Sequence, residues 1–354
     1  MPFIRPLTVF ILSTMALSPA HGAEIKGAGS SAAAPLYAFL GTGYARAEKV
    51  SLAYNPSGSS DGLKQIRGKT VDFGASDVAL TPEERKAQKL LCFPTAISGV
   101  VPVVNLPGVR KGQLHLTGEV LAAIFARKIV KWNDEKVRAL NPGLELPELP
   151  ISVVVRQDGS GSTLNFTDYL GKVSPTWTAS FGRNYTIVWP AGTTQAKGSA
   201  GVVAALKQTE GAISYVDYQY AVQANLAWVL LKNRDGRYAR PGASGFSSAL
   251  VNSAWMSKAS YEEMLTDRPG AVTWPITSGT FVVVPQVSST PEKTIAALKF
   301  FTWSFLHGDT VVGKAEFVRL PEIVQGRIFG ELTAITDTGG VPLQWSLADL
   351  VKLK

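Results

Sequence analysis

The sequence predicts an α/β protein whose sheets contain mainly parallel strands. Short strand-like runs alternate along the chain with segments whose apolar residues recur at helical spacing. Glycine- and serine-rich turns join several of these runs to the segments that follow them. With 354 residues, of which 45% are hydrophobic and 18% charged, the chain is long enough for two globular domains.

The individual elements are predicted from the spacing of apolar residues. Compact apolar runs indicate strands, and apolar residues three or four positions apart indicate helices. The predicted strands are Val50–Tyr54, Val71–Ala75, Val100–Asn105, Ile151–Val155, Ala212–Val216, Ala227–Leu231 and Phe281–Pro285. The predicted helices are Asp61–Lys69, Pro82–Lys89 (with Thr81 as its N-cap) and Leu116–Arg127.

The segment 290–308 carries the clearest helix signal. Thr290 is a suitable N-cap, Pro291 fits the first helical position and Gly308 fits the C-cap. Between them, apolar residues recur at helical spacing, at Ile295, Leu298, Phe301 and Phe305. Two other stretches lack such periodicity, so we predict a loop at Asn141–Pro150 and an exposed polar excursion at Asn233–Ser247.

The first 22 residues have the pattern of a secretory signal peptide. Arg5 provides the positive start, Val9–Leu17 form a mostly apolar core, and small residues follow. Cleavage is expected after Gly22 or Ala23, and the protein is expected to be exported. The alternative is a cytosolic protein with an apolar N-terminal strand. No later apolar run reaches about 18 residues, so no transmembrane helix is expected.

The composition argues against several classes of function. Cys92 is the only cysteine, and His21, His115 and His307 lie far apart, so no cluster has metal-ligand spacing. We therefore expect no metal and no cofactor. The formal net charge of +8 favours anionic partners in general. The basic residues are scattered, without a basic run or an aromatic ladder, so nucleic acid is not an expected partner.

Four turns rich in glycine and serine each lie between a strand-like run and a helix-like segment. The first, Gly27–Ala32, has the G-x-G-x-x-A spacing of a dinucleotide-binding loop. That motif needs an acidic residue after the second strand, whereas Glu48 precedes the strand Val50–Tyr54. A helix start that binds an anion fits the turn better, with Ser30 and Ser31 supplying hydroxyls.

The second turn, Ser57–Gly62, contains the G-x-S-x-G pattern of a hydrolase nucleophile elbow. A hydrolase also needs a histidine, and His115 and His307 are the only candidates after the leader. His307 ends a predicted helix, where a cation complements the helix dipole, and His115 precedes another helix. We therefore favour a helix start that offers Ser59 and backbone N–H groups to an anion.

The third and fourth turns carry charged residues. The third turn, Asp72–Asp77, brings Asp77 to the end of the strand Val71–Ala75, where ligands bind in open α/β sheets. The fourth turn, Arg156–Thr163, follows a strand and opens an apolar-periodic segment, so it is a predicted helix start. Its arginine can donate two parallel hydrogen bonds, and the helix dipole also favours an anion. This combination suits a tetrahedral oxyanion.

Taken in order, these segments resemble the periplasmic phosphate-binding proteins of high-affinity phosphate ABC transporters. The resemblance is collinear from about residue 24 to about residue 325. The matching stretches are Gly27–Ser31, Pro35–Tyr37, Gly58–Ser60, Lys64–Ile66, Val71–Asp77, Phe93–Pro94, Gly99–Asn105, Lys131–Asp134, Asn141–Gly143, Val155–Gly161, Gly211–Val216 and Trp274–Thr277. Each motif is modest by itself, whereas the ordered set is highly specific.

The resemblance implies a two-lobed periplasmic-binding-protein fold, with a mixed sheet and flanking helices in each lobe. Lobe I would comprise residues 24–105 and 275–354, and the inserted lobe II residues 106–274. The ligand cleft would lie at a two-strand hinge crossed near Asn105 and Pro275. The resemblance further implies a monomeric periplasmic protein, not an enzyme, that captures inorganic phosphate and delivers it to the permease and ATPase subunits of an ABC importer.

Carried over position by position, the family's phosphate contacts fall on the four turns. The implied contacts are Ser31, the N–H of Ala32, Ser59, Asp77, Arg156, Ser160, Gly161 and Ser162. Asp158 would pair with Arg156 rather than touch the ligand. The family usually has Phe in place of Ala32 and Thr in place of Ser31 and Ser162. Serine preserves the hydroxyl donor of threonine.

Two alternatives use the same oxyanion cradle. One is an exported phosphoesterase, which would need a nucleophile paired with a base that this sequence does not convincingly supply. The other is a relative of the same fold that binds another oxyanion or acts in sensing or adhesion. Ala32, in place of the usual Phe, keeps that second alternative open.

Overall fold

The computed structural model describes residues 23–258 and 261–346. The predicted signal peptide, residues 1–22, and the C-terminal residues 347–354 lie outside the described residues. Within the described part of the chain, no helix combines the length and apolar character needed to cross a membrane.

Strands and helices alternate along the first third of the chain, as predicted. The elements are β1 (Glu24–Gly29), α1 (Ala34–Glu48), β2 (Ser51–Asn55), α2 (Ser59–Arg67), β3 (Phe73–Ser76), α3 (Pro82–Gln88) and β4 (Leu90–Asn105). Thr81 caps α3 as predicted, and its hydroxyl and the Glu84 side chain form a reciprocal capping box.

The middle of the chain contains most of the short elements. These are β5 (His115–Leu116), α4 (Gly118–Phe125), α5 (Glu135–Leu140), β6 (Ser152–Arg156), α6 (Gly161–Val173), α7 (Pro175–Ser180), β7 (Thr194–Ala196), α8 (Gly198–Gln208), β8 (Ala212–Asp217) and α9 (Tyr218–Gln223). They are followed by β9 (Ala227–Trp228), β10 (Leu230–Lys232), β11 (Tyr238–Ala239), α10 (Ala243–Val251) and α11 (Ala254–Lys258).

The last part of the chain adds the strand β12 to the sheet that contains β1. Its elements are β12 (Thr277–Pro285), β13 (Val287–Ser288), α12 (Pro291–His307), α13 (Asp309–Lys314), α14 (Glu322–Leu332) and β14 (Thr336–Asp337). The predicted helix at 290–308 is confirmed as α12, with Thr290 and Gly308 at its caps.

The largest sheet has the strand order β2-β1-β3-β12-β4-β8-β6-β7, and β9 also pairs with β4. β1 is parallel to β2 and β3, and β6 is parallel to β7 and β8. At the centre, β12 is antiparallel to β3 and β4, and β4 is antiparallel to β8. The expectation of mainly parallel strands is therefore wrong at the centre, because β12 arrives from a distant part of the chain and runs in the opposite direction.

The long strand β4 joins two groups of strands. Residues 90–99 pair with β12, and residues 100–105 pair with β8. The first strand group is therefore β2, β1, β3 and β12, and the second is β8, β6, β7 and β9. The predicted strand Val100–Asn105 is only the second part of β4. Pro94 and Gly99 interrupt the apolar sequence pattern of the first part. In the structure, Pro94 pairs with Phe281 at an irregularity in the register between β4 and β12.

Aromatic packing holds the first strand group against α12. Phe301 of α12 is buried, and its ring meets Phe73 of β3 edge-on, with 4.9 Å between centroids. Tyr37 of α1 contacts both rings at 5.8 Å. Each fully buried ring stabilises the fold by about 1.5–3 kcal/mol. Because β3 ends one residue before Asp77, this core also positions the third turn.

Three local predictions differ in detail from the structure. The predicted exposed excursion at 233–247 is confirmed only in part: residues 234–238 are exposed, but β11 and the start of α10 also lie there, and Phe246 is fully buried against Gly99. The predicted helix at 116–127 begins at Gly118, since Thr117 caps it and Leu116 belongs to β5. The predicted strand 227–231 is two short strands, because β9 pairs with β4 and β10 pairs with β5 and β11.

Candidate anion-binding site

The four predicted turns meet at one place, where the two strand groups approach each other. Ser60 N–H donates to the Gly159 carbonyl at 3.1 Å, and Gly161 N–H donates to Ser59 Oγ at 3.1 Å. The Asn165 amide donates to the Asp77 carbonyl at 2.8 Å. These bonds join the second turn to the fourth turn, and the third turn to α6, across the cleft.

Two glycines allow the backbones to approach this closely. A Cβ at Gly161 would lie 2.7 Å from Ser59 Oγ and 2.7 Å from the Asp77 Cβ. Gly29, within the first turn, has a φ of 138°, and a Cβ there would collide with the Ala75 carbonyl oxygen. A larger residue at either position would push the turns apart.

The first turn is covered by side chains of α8 and α9, the helices that flank β8 in the sequence. Tyr220 OH donates to the Ser31 carbonyl at 3.0 Å, and the Gln219 amide donates to the Ala32 carbonyl. Ala32 is consequently only 6% exposed, although it lacks the ring usual in the resembled family. Ser31 Oγ lies 2.9 Å from Ser199 Oγ, at the start of α8.

Arg156 is a buried cation at the end of β6, with a relative exposure of 4%. Its Nε donates to Asp158 Oδ1 at 2.9 Å, and its Nη2 donates to Asp158 Oδ2. Its Nη1 donates to Ser199 Oγ at 3.2 Å. Burial by itself would raise the pKa of Asp158, but the hydrogen bonds and charge of Arg156 hold that pKa below its ordinary value.

The start of α6 contributes hydroxyl and N–H groups. Ser160 is the N-cap, and its hydroxyl accepts from Thr163 N–H at 3.3 Å. Ser160, Gly161 and Ser162 are all buried. The helix dipole places partial positive charge here, which favours a bound anion.

Asp77 is the buried carboxylate at the end of β3. Its Oδ1 accepts from Ser30 Oγ at 2.5 Å and its Oδ2 accepts from Ser59 Oγ at 3.4 Å. Burial, and then the negative charge of Asp217, raise the pKa of Asp77 to about 7. At neutral pH this group can therefore exchange a proton with a ligand.

The sequence prediction missed Ser199 and Asp217. The Asp217 carboxylate accepts hydrogen bonds from Ser162 Oγ at 2.6 Å and from Ser199 Oγ at 2.8 Å. Burial raises the pKa of Asp217. The sequence did offer a signal for Asp217 as a site residue, since it directly follows the predicted strand Ala212–Val216, and Asp77 likewise lies just beyond the predicted strand Val71–Ala75. Ser199 opens a helix that the apolar spacing did not reveal.

Other features lie apart from this site. Among residues 23–258 and 261–346, no group of three or more His, Cys, Asp and Glu side chains could hold a metal ion. A groove of about 710 Å³, lined by Lys26, Lys89 and Lys293 among others, lies at the start of β4 and the end of β12. It contains none of the contact residues that the resemblance implies.

Comparisons with known proteins identify the family. A model of the PBP superfamily domain matches residues 16–306. The phosphate-binding protein PstS of Pasteurella multocida is 41% identical over 322 residues, which are 91% of this chain and 93% of that protein. The chain belongs to the PstS family of phosphate-binding proteins. The Haemophilus influenzae PstS is 39% identical over 325 residues, 92% of this chain and 97% of that protein.

Solved structures agree with this assignment at the level of the fold. A high affinity periplasmic phosphate-binding protein, PfluDING, solved with phosphate bound, is similar with a TM-score of 0.69 and 19% identity. The similarity covers 93% of this chain and 98% of that one. A phosphate-binding protein from Stenotrophomonas maltophilia has a TM-score of 0.66 at 18% identity, covering 91% and 99% of the two chains. The predicted two-lobed, mixed α/β fold class is confirmed.

The raised pKa of Asp77 predicts how stability depends on pH. A carboxyl that keeps its proton to about pH 7 when folded, but only to about pH 3.8 when unfolded, stabilises the fold below pH 3.8. This stabilisation is lost as the pH rises to about 7, at up to roughly 1.4 kcal/mol per pH unit. Urea unfolding of anion-free protein between pH 4 and 8 measures it, and Asp77→Asn should make the decline shallower. An unchanged decline in the variant would contradict the assignment.

Proposed function

We propose that this chain captures inorganic phosphate in the cleft between the two strand groups. The observation that carries the proposal is the convergence of one buried cation, Arg156, with hydroxyls, helix-start N–H groups and the buried Asp77. The implied contacts are Ser31, Ala32, Ser59, Asp77, Arg156, Ser160, Gly161 and Ser162. Asp158 holds the guanidinium in place.

We also propose the division into two lobes that the family resemblance implies. Lobe I is residues 24–105 with 275–354, and lobe II is residues 106–274. The first three turns then belong to lobe I and the fourth to lobe II, so phosphate bonds to both lobes and favours closure by a hinge motion. β4 changes partners between Gly99 and Val100, so residues 100–105 of the proposed lobe I pair with β8 of lobe II and would form one of the two crossings between the lobes.

The proposed role is that of a solute-binding protein rather than an enzyme. Membership of the PstS family supports export to the periplasm and delivery of phosphate to the permease and ATPase subunits of an ABC importer. Captured phosphate is held by hydrogen bonds and charge alone, so it can be released unchanged. We further propose that the protein acts as a monomer.

Asp77 explains how the cleft distinguishes phosphate from sulfate. At pH 8, above the pKa of Asp77, phosphate is largely a dianion that keeps one proton, and the ionised Asp77 can accept that proton in a hydrogen bond. Sulfate has no proton, so two negative groups would face each other in a buried site. An unpaired acceptor of this kind costs several kcal/mol, or a factor of about 10³ in affinity.

Arg156→Ala tests the proposed contact set. Removal of the guanidinium should weaken phosphate binding by about 2–5 kcal/mol, because it also leaves the half-buried Asp158 without its partner. Isothermal titration calorimetry with phosphate measures the change. Arg46→Ala, an exposed arginine on α1, is the matched control and should bind as the wild type does. A loss below about 1 kcal/mol in Arg156→Ala would remove this residue from the site.

Asp77→Asn tests the basis of selectivity. The amide can donate to an unprotonated oxyanion, so the variant should bind phosphate less tightly and sulfate more tightly at pH 8. In the wild type, sulfate binding should appear as the pH falls below about 7, because Asp77 then carries its own proton. Calorimetry with both anions at pH 5 and pH 8 measures this. Unchanged selectivity in the variant would exclude Asp77 as the discriminating group.

A further inference from the structure

Two buried residues of the cleft, Ser199 and Asp217, have no part in the contacts proposed above. Ser199 Oγ has three polar neighbours: Ser31 Oγ at 2.9 Å, Arg156 Nη1 at 3.2 Å and Asp217 Oδ2 at 2.8 Å. Ser162 Oγ lies 2.6 Å from the other carboxylate oxygen of Asp217. Asp217 therefore sits at the end of a short chain of hydroxyls that leads to the first turn.

The direction of this chain depends on the proton of Asp217. A serine hydroxyl has one hydrogen to give, and an ionised carboxylate can only accept. With Asp217 ionised, Ser199 gives its hydrogen to the carboxylate, and its oxygen accepts from Arg156 and Ser31. Ser162 also gives its hydrogen to Asp217. Neither Ser31 nor Ser162 then has a hydroxyl hydrogen left for an anion.

The surrounding charges oppose an ionised Asp217 once an anion arrives. The groups that face it are Arg156 on β6, Asp77 after β3 and Tyr220 on α9. The charge of Arg156 is already shared with Asp158. A bound anion adds negative charge beside two buried carboxylates, so the binding of protons becomes more favourable. Burial already raises the pKa of Asp217 before any anion is present.

We propose that Asp217 takes up one proton from solvent when the anion binds, and that this reverses the hydroxyl chain. Asp217 then donates to Ser199, Ser199 donates to Ser31, and the hydrogen of Ser31 is delivered to the anion. Asp217 and Ser199 are positioning residues in this scheme, since they act on the anion through Ser31. The inference rests on the phosphate site proposed above.

The test is calorimetric titration of anion-free protein with inorganic phosphate at pH 8.5. Two phosphate-free buffers that differ in ionisation enthalpy report the number of protons taken up. The wild type should take up about one proton more per phosphate than Asp217→Asn, and its affinity should fall more steeply with pH, by up to about tenfold per pH unit. In the variant the amide donates to Ser199 at every pH, so phosphate should bind more tightly above pH 8 than it does in the wild type.

Asp168→Asn is the matched control. Asp168 is as deeply buried as Asp217, but it pairs with Lys172 and Arg183 outside the cleft. This variant should show the proton uptake of the wild type. Equal uptake in the wild type and Asp217→Asn would overturn the inference. So would a folded Asp217→Asn protein, judged by its thermal unfolding, that no longer binds phosphate.

A second variant covers the case in which Asp217→Asn does not fold. Ser199→Ala cuts the chain between Asp217 and Ser31, so the affinity for phosphate should depend less on pH than in the wild type. An unchanged pH dependence would overturn the inference. A wild-type protein that binds phosphate without any proton uptake would overturn it too and leave the proposed function standing. A wild-type protein that binds no phosphate would instead contradict the proposed function.

Discussion

The buried guanidinium of Arg156 is the interaction on which the cleft depends. A charge removed from water is tolerated only when it is paired and hydrogen-bonded. Two guanidinium nitrogens donate hydrogen bonds to Asp158 and the third donates to Ser199. The Gly198 N–H at the start of α8 donates to the Asp158 carboxylate at 2.8 Å. The fourth turn, α8 and the end of β6 are therefore fixed relative to one another before any anion is considered.

Negative charge exceeds positive charge around that guanidinium. Asp77 and Asp217 are both buried, both have raised pKa values, and each is surrounded by serine hydroxyls. A cleft built only from cations would bind any oxyanion. Two buried carboxylates with raised pKa values, of which Asp77 keeps its proton to about pH 7, instead favour an anion that carries a proton of its own, which links ligand choice to pH.

The turns could be predicted from sequence because short-range spacing defines them. Glycines, hydroxyls and charged residues stand at fixed offsets between strand and helix signals, as at Arg156–Thr163. The pairing of Ser31 with Ser199 joins residues 168 positions apart and depends on how the strand groups pack, which local spacing does not encode. The full length of β4 was missed because Pro94 and Gly99 resemble chain breaks, whereas an irregular ladder with β12 accommodates them.

The most direct test of phosphate binding at Arg156 and Asp77 is a crystal structure of the mature protein with phosphate. We expect phosphate in the cleft, with one oxygen about 2.7–3.1 Å from a guanidinium nitrogen of Arg156 and another about 2.5–2.7 Å from a carboxylate oxygen of Asp77. Phosphate bound elsewhere, such as in the lysine-lined groove beside β12, would contradict it. So would a cleft-bound phosphate from which Asp77 is turned away.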